Sequence, residues 1–199
     1  MTTIAFPTLS RAPTRVEWRL MSRTQMHMSP LTGAVQTQEL PGGHWSVTLA
    51  YDTLLQDDAR LLEAWFAAMR GRAGRVAIHN MGRPTPYGVG GGTPVVNGSA
   101  SGTTIPVRGA PLSTVNWLRA GDLVGLGGTV HRLLSDVTTN GAGVASLSVF
   151  PVLRATAADG AALTLVKPTI VARLLDDVQG RAYRRGGTAD ITIDLVEAL

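Results

Sequence analysis

The 199-residue chain contains no cysteine. Disulfides, thiolate metal sites and cysteine nucleophiles are therefore excluded, and the composition suits a protein made in a reducing cytoplasm. Lysine is almost absent, with Lys167 the only one, so the basic side of the +4 net charge is carried by arginine. Those arginines are scattered, apart from Arg70-Gly71-Arg72 with Arg75, and Arg184-Arg185. A nucleic-acid binder concentrates its cations in runs or stripes, so no sequence-specific nucleic-acid partner is expected. Charged residues make up only 16% of the chain, below the usual quarter. A surface this poor in solvating groups suits burial against partner subunits. No stretch reaches the ~18 apolar residues of a membrane span. The start, Met1-Thr2-Thr3-Ile4-Ala5-Phe6, lacks the basic and apolar regions of a signal peptide. No membrane partner and no export by a signal of its own are expected.

What is present reads as β-structure. Residues 15–26 alternate, with Val16, Trp18 and Leu20 against Glu17, Arg19 and Met21. Ser29-Pro30-Leu31-Thr32-Gly33 is a turn by composition, and 34–40 reads as a second strand. Pro41-Gly42-Gly43 then reads as a tight turn. After it Trp45, Val47, Leu49 and Tyr51 share one face of a third strand. One helix is expected over about 57–70. Asp57 or Asp58 would cap it, Leu61, Leu62, Trp65, Phe66 and Met69 form its apolar stripe, and Gly71 is the expected C-cap. A strand follows at 75–78.

From Asn80 the composition changes. Residues 81–94 are rich in Gly and Pro and read as a flexible or extended linker. Short strands are expected at 103–107, 123–126, 130–134, 144–149 and 162–166, spaced as in a small barrel or sandwich. Asn140-Gly141 is a hairpin signal, and Pro151 and Pro168 punctuate the end of this region. Strands return at 170–174 and 189–196, with turns at Gln179-Gly180 and Gly186-Gly187. The expected fold is mainly β with one clear α-helix. A discontinuous β-sandwich-like domain (1–80 plus 168–199) carries an inserted small β-barrel or sandwich module (95–167). No internal repeat is apparent.

Chemistry is sparse. His27, His44, His79 and His131 have no metal-ligand spacing and read as surface or interface residues. The Gly-rich loop at 88–92 is followed by Thr93-Pro94, lacks the Lys-Ser/Thr of a phosphate cradle, and reads as a hinge. There is no G-x-S-x-G elbow. Asp57-Asp58 reads as a helix start and Asp176-Asp177 as a turn; adjacent aspartates do not face each other across a cleft as glycoside hydrolysis requires. Arg119-Ala120-Gly121-Asp122 reads as a β-turn in which Asp122 bonds back to the backbone. Of the tryptophans, Trp65 is core, and Trp18 and Trp45 are core or interface. Trp117, in the loop 113–117, is the aromatic expected to be exposed and the candidate contact for a glycan. No catalytic residue, metal or cofactor is expected, and the chain reads as a non-enzyme.

Several stretches resemble the distal-tail and minor tail proteins of the tail tip, or baseplate, of long-tailed bacteriophages. They include Arg15-Val16-Glu17-Trp18, Ser29-Pro30-Leu31-Thr32-Gly33, Pro41-Gly42-Gly43-His44-Trp45 and the helix end Arg70-Gly71-Arg72-Ala73-Gly74. Leu118-Arg119-Ala120-Gly121-Asp122 and Phe150-Pro151-Val152-Leu153-Arg154 are similar to that group as well. The resemblance implies a structural virion protein, made in the host cytoplasm, whose β-rich domain forms a ring, typically a hexamer. That ring would join the tail tube to the distal tip, with the tube protein and other tip proteins as partners, and the inserted module would point outward. An accessory carbohydrate- or receptor-binding module of the tail is the alternative.

Overall fold

The structure, a computed structural model, describes residues 3–178, 180, 182–184 and 188–198. The expected turn at Gly186-Gly187, the Gln179 half of the other, and Arg185 lie outside the described residues. The chain is mainly β, with one α-helix and two sheets, one of them curled into a half-barrel. The strands in chain order are β1 (Arg15–Met28), β2 (Val35–Leu55), β3 (Val76–His79), β4 (Val95–Val96), β5 (Ala100–Arg108) and β6 (Leu123–Leu126). They continue as β7 (Thr129–Leu133), β8 (Ala145–Ala157), β9 (Thr169–Leu174), β10 (Ala182–Arg184) and β11 (Thr188–Glu197). Helix α1 spans Gln56–Met69.

The first sheet runs β1-β2-β11-β9-β3, with β10 on β11, and every pairing is antiparallel. Its centre follows from period-2 patterning. Trp45, Val47, Leu49 and Tyr51 are all buried on one face of β2, and Ala189, Ile191, Ile193 and Leu195 on one face of β11. The register sets Leu195 opposite Val47, Ile193 opposite Leu49 and Ile191 opposite Tyr51, so the two apolar rows form one continuous surface. Helix α1 covers it with Ala59, Leu62, Trp65, Phe66 and Met69, while Leu61 falls off the stripe and stays exposed.

The second sheet runs β4-β5-β8-β7-β6. The segment expected as a strand at 162–166 makes isolated bridges instead. It pairs Ala162 with Val95 on one edge and Thr164 with Gly125 on the other, so it ties β4 to β6. Trp117, Leu118, Val124, Leu147 and Val149 fill the interior.

Three local expectations are corrected, and a fourth, the Asn140-Gly141 turn, is refined. Pro41-Gly42-Gly43 is a bulge inside β2, where the register jumps between Met21↔His44 and Arg23↔Leu40. Pro41 can sit there because a bulge asks no ladder bond of it. Asn140-Gly141 does turn the chain, through Asn140 Oδ1 accepting the amides of Ala142 and Val144. The loop is one residue longer than a two-residue hairpin: Gly143 N–H donates to Asn140 O and Asn140 N–H to Val144 O, with Gly143 at φ 66°. Pro151 lies within β8 and does not end it. The helix has no side-chain N-cap, and its left-handed C-cap is Arg70 in place of Gly71.

The two sheets meet at a polar seam. Trp45 donates its indole N–H to Val130 O (2.7 Å) and its backbone N–H to Glu197 Oε2 (3.0 Å). Arg154 clamps Glu197 through two bonds (3.0 and 2.9 Å) and also donates to Gly43 O (2.8 Å). Trp45→Phe removes the indole donor and strands a buried carbonyl. The expected loss is about 2 kcal/mol of unfolding free energy, measured by urea denaturation with the slope unchanged.

Candidate functional site

Beyond the bulge, β1 and β2 leave the body as a two-stranded arm, residues 23–40, closed by a turn at 29–34 in which Gly33 N–H donates to Ser29 O. Nearly every residue of the arm is exposed. Residues opposite one another in the ladder share a face. One face therefore carries Met26, Met28, Val35, Thr24, Thr37 and Glu39, and the other carries Arg23, Gln25, His27, Gln36, Gln38 and Leu40. Met26 and Met28 are each 66% exposed, Val35 52%, and Leu31 at the tip 94%. The arm thus presents a methionine-rich apolar face and an amide-rich polar one. Methionine side chains adapt to irregular partners.

Both edges of the arm are open. β1 pairs only with β2, and β2 pairs with β11 only from Ser46 to Leu55. Elsewhere among the described residues several edges have a neighbour, although β1 is an edge strand over its body part as well. Thr3 and Ile4 lie against Arg75 beside β3, β10 lies on β11, and residues 161–164 bridge β4 and β6. The arm carries no proline inside its paired positions and no lysine, two of the usual protections against edge pairing. At its base a cleft of about 330 Å³ is lined by Arg23, Glu39, Leu40, Phe150, Pro151 and Arg154, among others.

Trp117 requires a correction. It is fully buried, and its Nε1–H donates to Gly91 O at 3.2 Å. The Gly/Pro segment is laid over it: Val89 N–H donates to Asn116 O and Gly90 N–H to Trp117 O. No indole face remains for a sugar. The same bonds overturn the expectation of a hinge at 88–92. Gly88 is required there, since a Cβ would lie 2.4 Å from Trp117 O and 2.5 Å from Leu118 Cα.

Asp122 does close the expected turn, with Arg119 N–H donating to its Oδ2 (2.7 Å) and Gly121 at φ 89°. The sequence did not disclose its larger role. Asp122 is fully buried and also accepts Tyr87 N–H (2.7 Å), Gly88 N–H (3.1 Å) and the Arg83 guanidinium (2.5 Å). Arg83 lies 3.5 Å over the Tyr87 ring. The carboxylate thereby fastens the supposed linker to the second sheet. Its partners come from 34 to 39 residues away, and no local signal marks them.

The remaining candidates are dispersed. His27 is exposed on the arm, and His44 and His79 are half-buried. Burial, then Lys167, holds the His79 imidazole below its ordinary value. His131, expected at a surface or interface, is buried beside the seam. Asp58 is buried and accepts both the N–H and the hydroxyl of Ser10, so it anchors the N-terminal segment. Desolvation, then Asp58, pushes the Tyr51 phenol up to about 12. Asp176 and Asp177 bind Arg72. Among the described residues no group of three or more His, Asp or Glu side chains could hold a metal ion.

No known protein family matches the chain, and no curated protein matches it.

Asp122→Asn leaves the Arg83 charge facing a neutral amide in a buried setting. Breaking such a pair is expected to cost about 3 kcal/mol, read by chemical denaturation. If stability stays within the error of wild type, the Asp122 clamp is not what holds 83–88 down.

Proposed function

We propose that the chain is a structural, self-assembling protein whose hairpin arm joins one copy to the next, and that its place is the tail tip of a long-tailed bacteriophage. The arm is the observation that carries this reading. It exposes an apolar face and, on both sides, strand edges that pair with nothing else among the described residues. A hairpin with two different free edges can pair heterologously, edge of one copy to the opposite edge of the next, and such contacts generate rings when the rotation closes. The low content of charge favours burial of surface between copies. The resemblance of the Arg15–Trp45 stretch to tail-tip proteins supplies the setting: a ring, in that family typically of six, between the tail tube and the distal tip. The alternative of a glycan-binding module has lost its contact residue, because Trp117 is buried.

Light scattering and negative-stain imaging of the full chain test the assembly reading, with Met26→Glu/Met28→Glu as the variant. Both positions are solvent-exposed in the subunit, so the variant should fold with an unchanged circular dichroism spectrum. Closed rings are expected for the wild type and monomers for the variant. Charges buried without partners should weaken association by at least roughly a hundredfold. Rings formed equally well by the variant, or a wild type that stays monomeric at all concentrations, alone and with a tail tube protein, would remove the arm as the joining element.

A further inference from the structure

β8 runs on beyond the seam with one edge unoccupied. β5 lies along its first edge from Ala145 to Ala157. β7 meets the second edge only at Val149 and Phe150, and the His131 ring reaches Pro151 O. Among the described residues, no further ladder pair, bridge or loop bond reaches that edge at 152–157. Ala155 and Thr156 are exposed there. The second sheet thus offers an open strand edge six residues long, and an open edge is a template for another strand.

A groove accompanies that edge. Its near part is the cleft of about 330 Å³ at the base of the arm, and its far part is a cavity of about 260 Å³ beside the β6–β7 turn. Leu153 and Arg154 line both, so the two spaces adjoin. Gly127, Ala155 and Ala157 wall the far part with small groups and leave room for long side chains. The hairpin arm matches this acceptor. Its two strands pair over six residues each, 23–28 with 35–40, the length of the open edge. Its exposed Met26 and Met28 are unbranched and adapt to an irregular wall. A copy cannot fill its own groove in this way. Arg23, Glu39 and Leu40 of its arm already line the near end, so the arm would have to double back and break its own ladder. Each copy therefore carries one arm and one acceptor, two different patches, which is the condition for heterologous contacts that close into rings.

We propose that the arm of one copy adds as a strand to the open edge of β8, at 152–157, in the next copy, with Met26 and Met28 in the groove beside it. This rests on the assembly reading above and names the acceptor. Main-chain hydrogen bonds supply the pairing, as in strand addition to an exposed sheet edge, and the groove selects the side chains. The near end of the groove is walled by β2 and the far end by the β6–β7 turn, so one arm touches both sheets of its neighbour. The bonds of Arg154 to Glu197 and Gly43 O hold those walls at a fixed spacing.

The test compares amide hydrogen exchange of the full chain in its assembled form with that of the Met26→Glu/Met28→Glu variant. On assembly, the amides at 152–157 that do not face β5 should slow at least about tenfold, together with amides of the arm. Amides of α1 should exchange alike in both. Ala155→Lys places a cation on the open edge, a common guard against strand addition. Ala155 is exposed, so this variant should keep the wild-type circular dichroism spectrum and lose assembly. Assembled wild type whose 152–157 amides exchange as in the variant would mean that arms pair only with arms, and would overturn this acceptor while the arm remains the joining element. Ala155→Lys that assembles as well as wild type has the same meaning. Protection at 152–157 without protection of the arm would show another segment in the groove and also overturn it. A wild type that never assembles overturns both readings. If Ala155→Lys does not fold, the exchange comparison decides.

Discussion

The carboxylate of Glu197 is the point on which the two sheets depend. It ends β11, accepts the backbone N–H of Trp45 on β2 and takes both arms of Arg154 on β8. A carboxylate at 2% side-chain exposure is costly unless its lone pairs are filled. Here three donors from two other strands fill them. Any relative movement of the sheets would break a charge-assisted bond in a poorly solvated place, whereas apolar contacts alone would let the faces slide. The polar cluster therefore sets the register of the seam, and the apolar contacts of Leu123 and Val130 with the first core supply the bulk of the contact.

Asp122 does the corresponding work one layer outward. Residues 83–91 have the composition of a free linker, yet four donors converge on one buried carboxylate and fix it. With that segment fixed, Trp117 is covered and the second sheet becomes a closed module. The hairpin arm stands apart from both sheets, with exposed apolar side chains and open edges. An exposed arm on a body braced by two buried carboxylates is an arrangement in which the arm can adapt while its base does not move.

Much of the β-architecture was legible in the chain. The alternation Trp45-Val47-Leu49-Tyr51 and that of 189–196 placed the central strands and their buried faces, because a two-residue period has only one way to face a core. The helical stripe was legible for the same reason, apart from Leu61, one position off the buried arc. What failed were features decided by distant partners. Pro41-Gly42-Gly43 has the composition of a turn and becomes a bulge because β1 continues past it as a ladder. Trp117 has loop neighbours and is buried because residues 88–91 cross over it. The arm was read correctly as strands joined by a turn at 29–33. Its exposure was not readable, since alternating Met and Gln describe a half-buried strand equally well. The Asp122 and Glu197 clusters join residues up to 152 apart, and nothing local in the chain announces them.

The position of β11 has a consequence for the order in which the protein can fold. β11 lies between β2 and β9 in the first sheet, yet it is the last strand described. During synthesis, the row Trp45, Val47, Leu49 and Tyr51 emerges long before the strand that will lie beside it. Helix α1 can dock early, but the sheet edge at β2 stays uncovered while more than a hundred residues are added. The second sheet, whose buried core residues all lie between Val96 and Leu165, can form in that interval. The second sheet can thus be complete while the first still lacks its central strand.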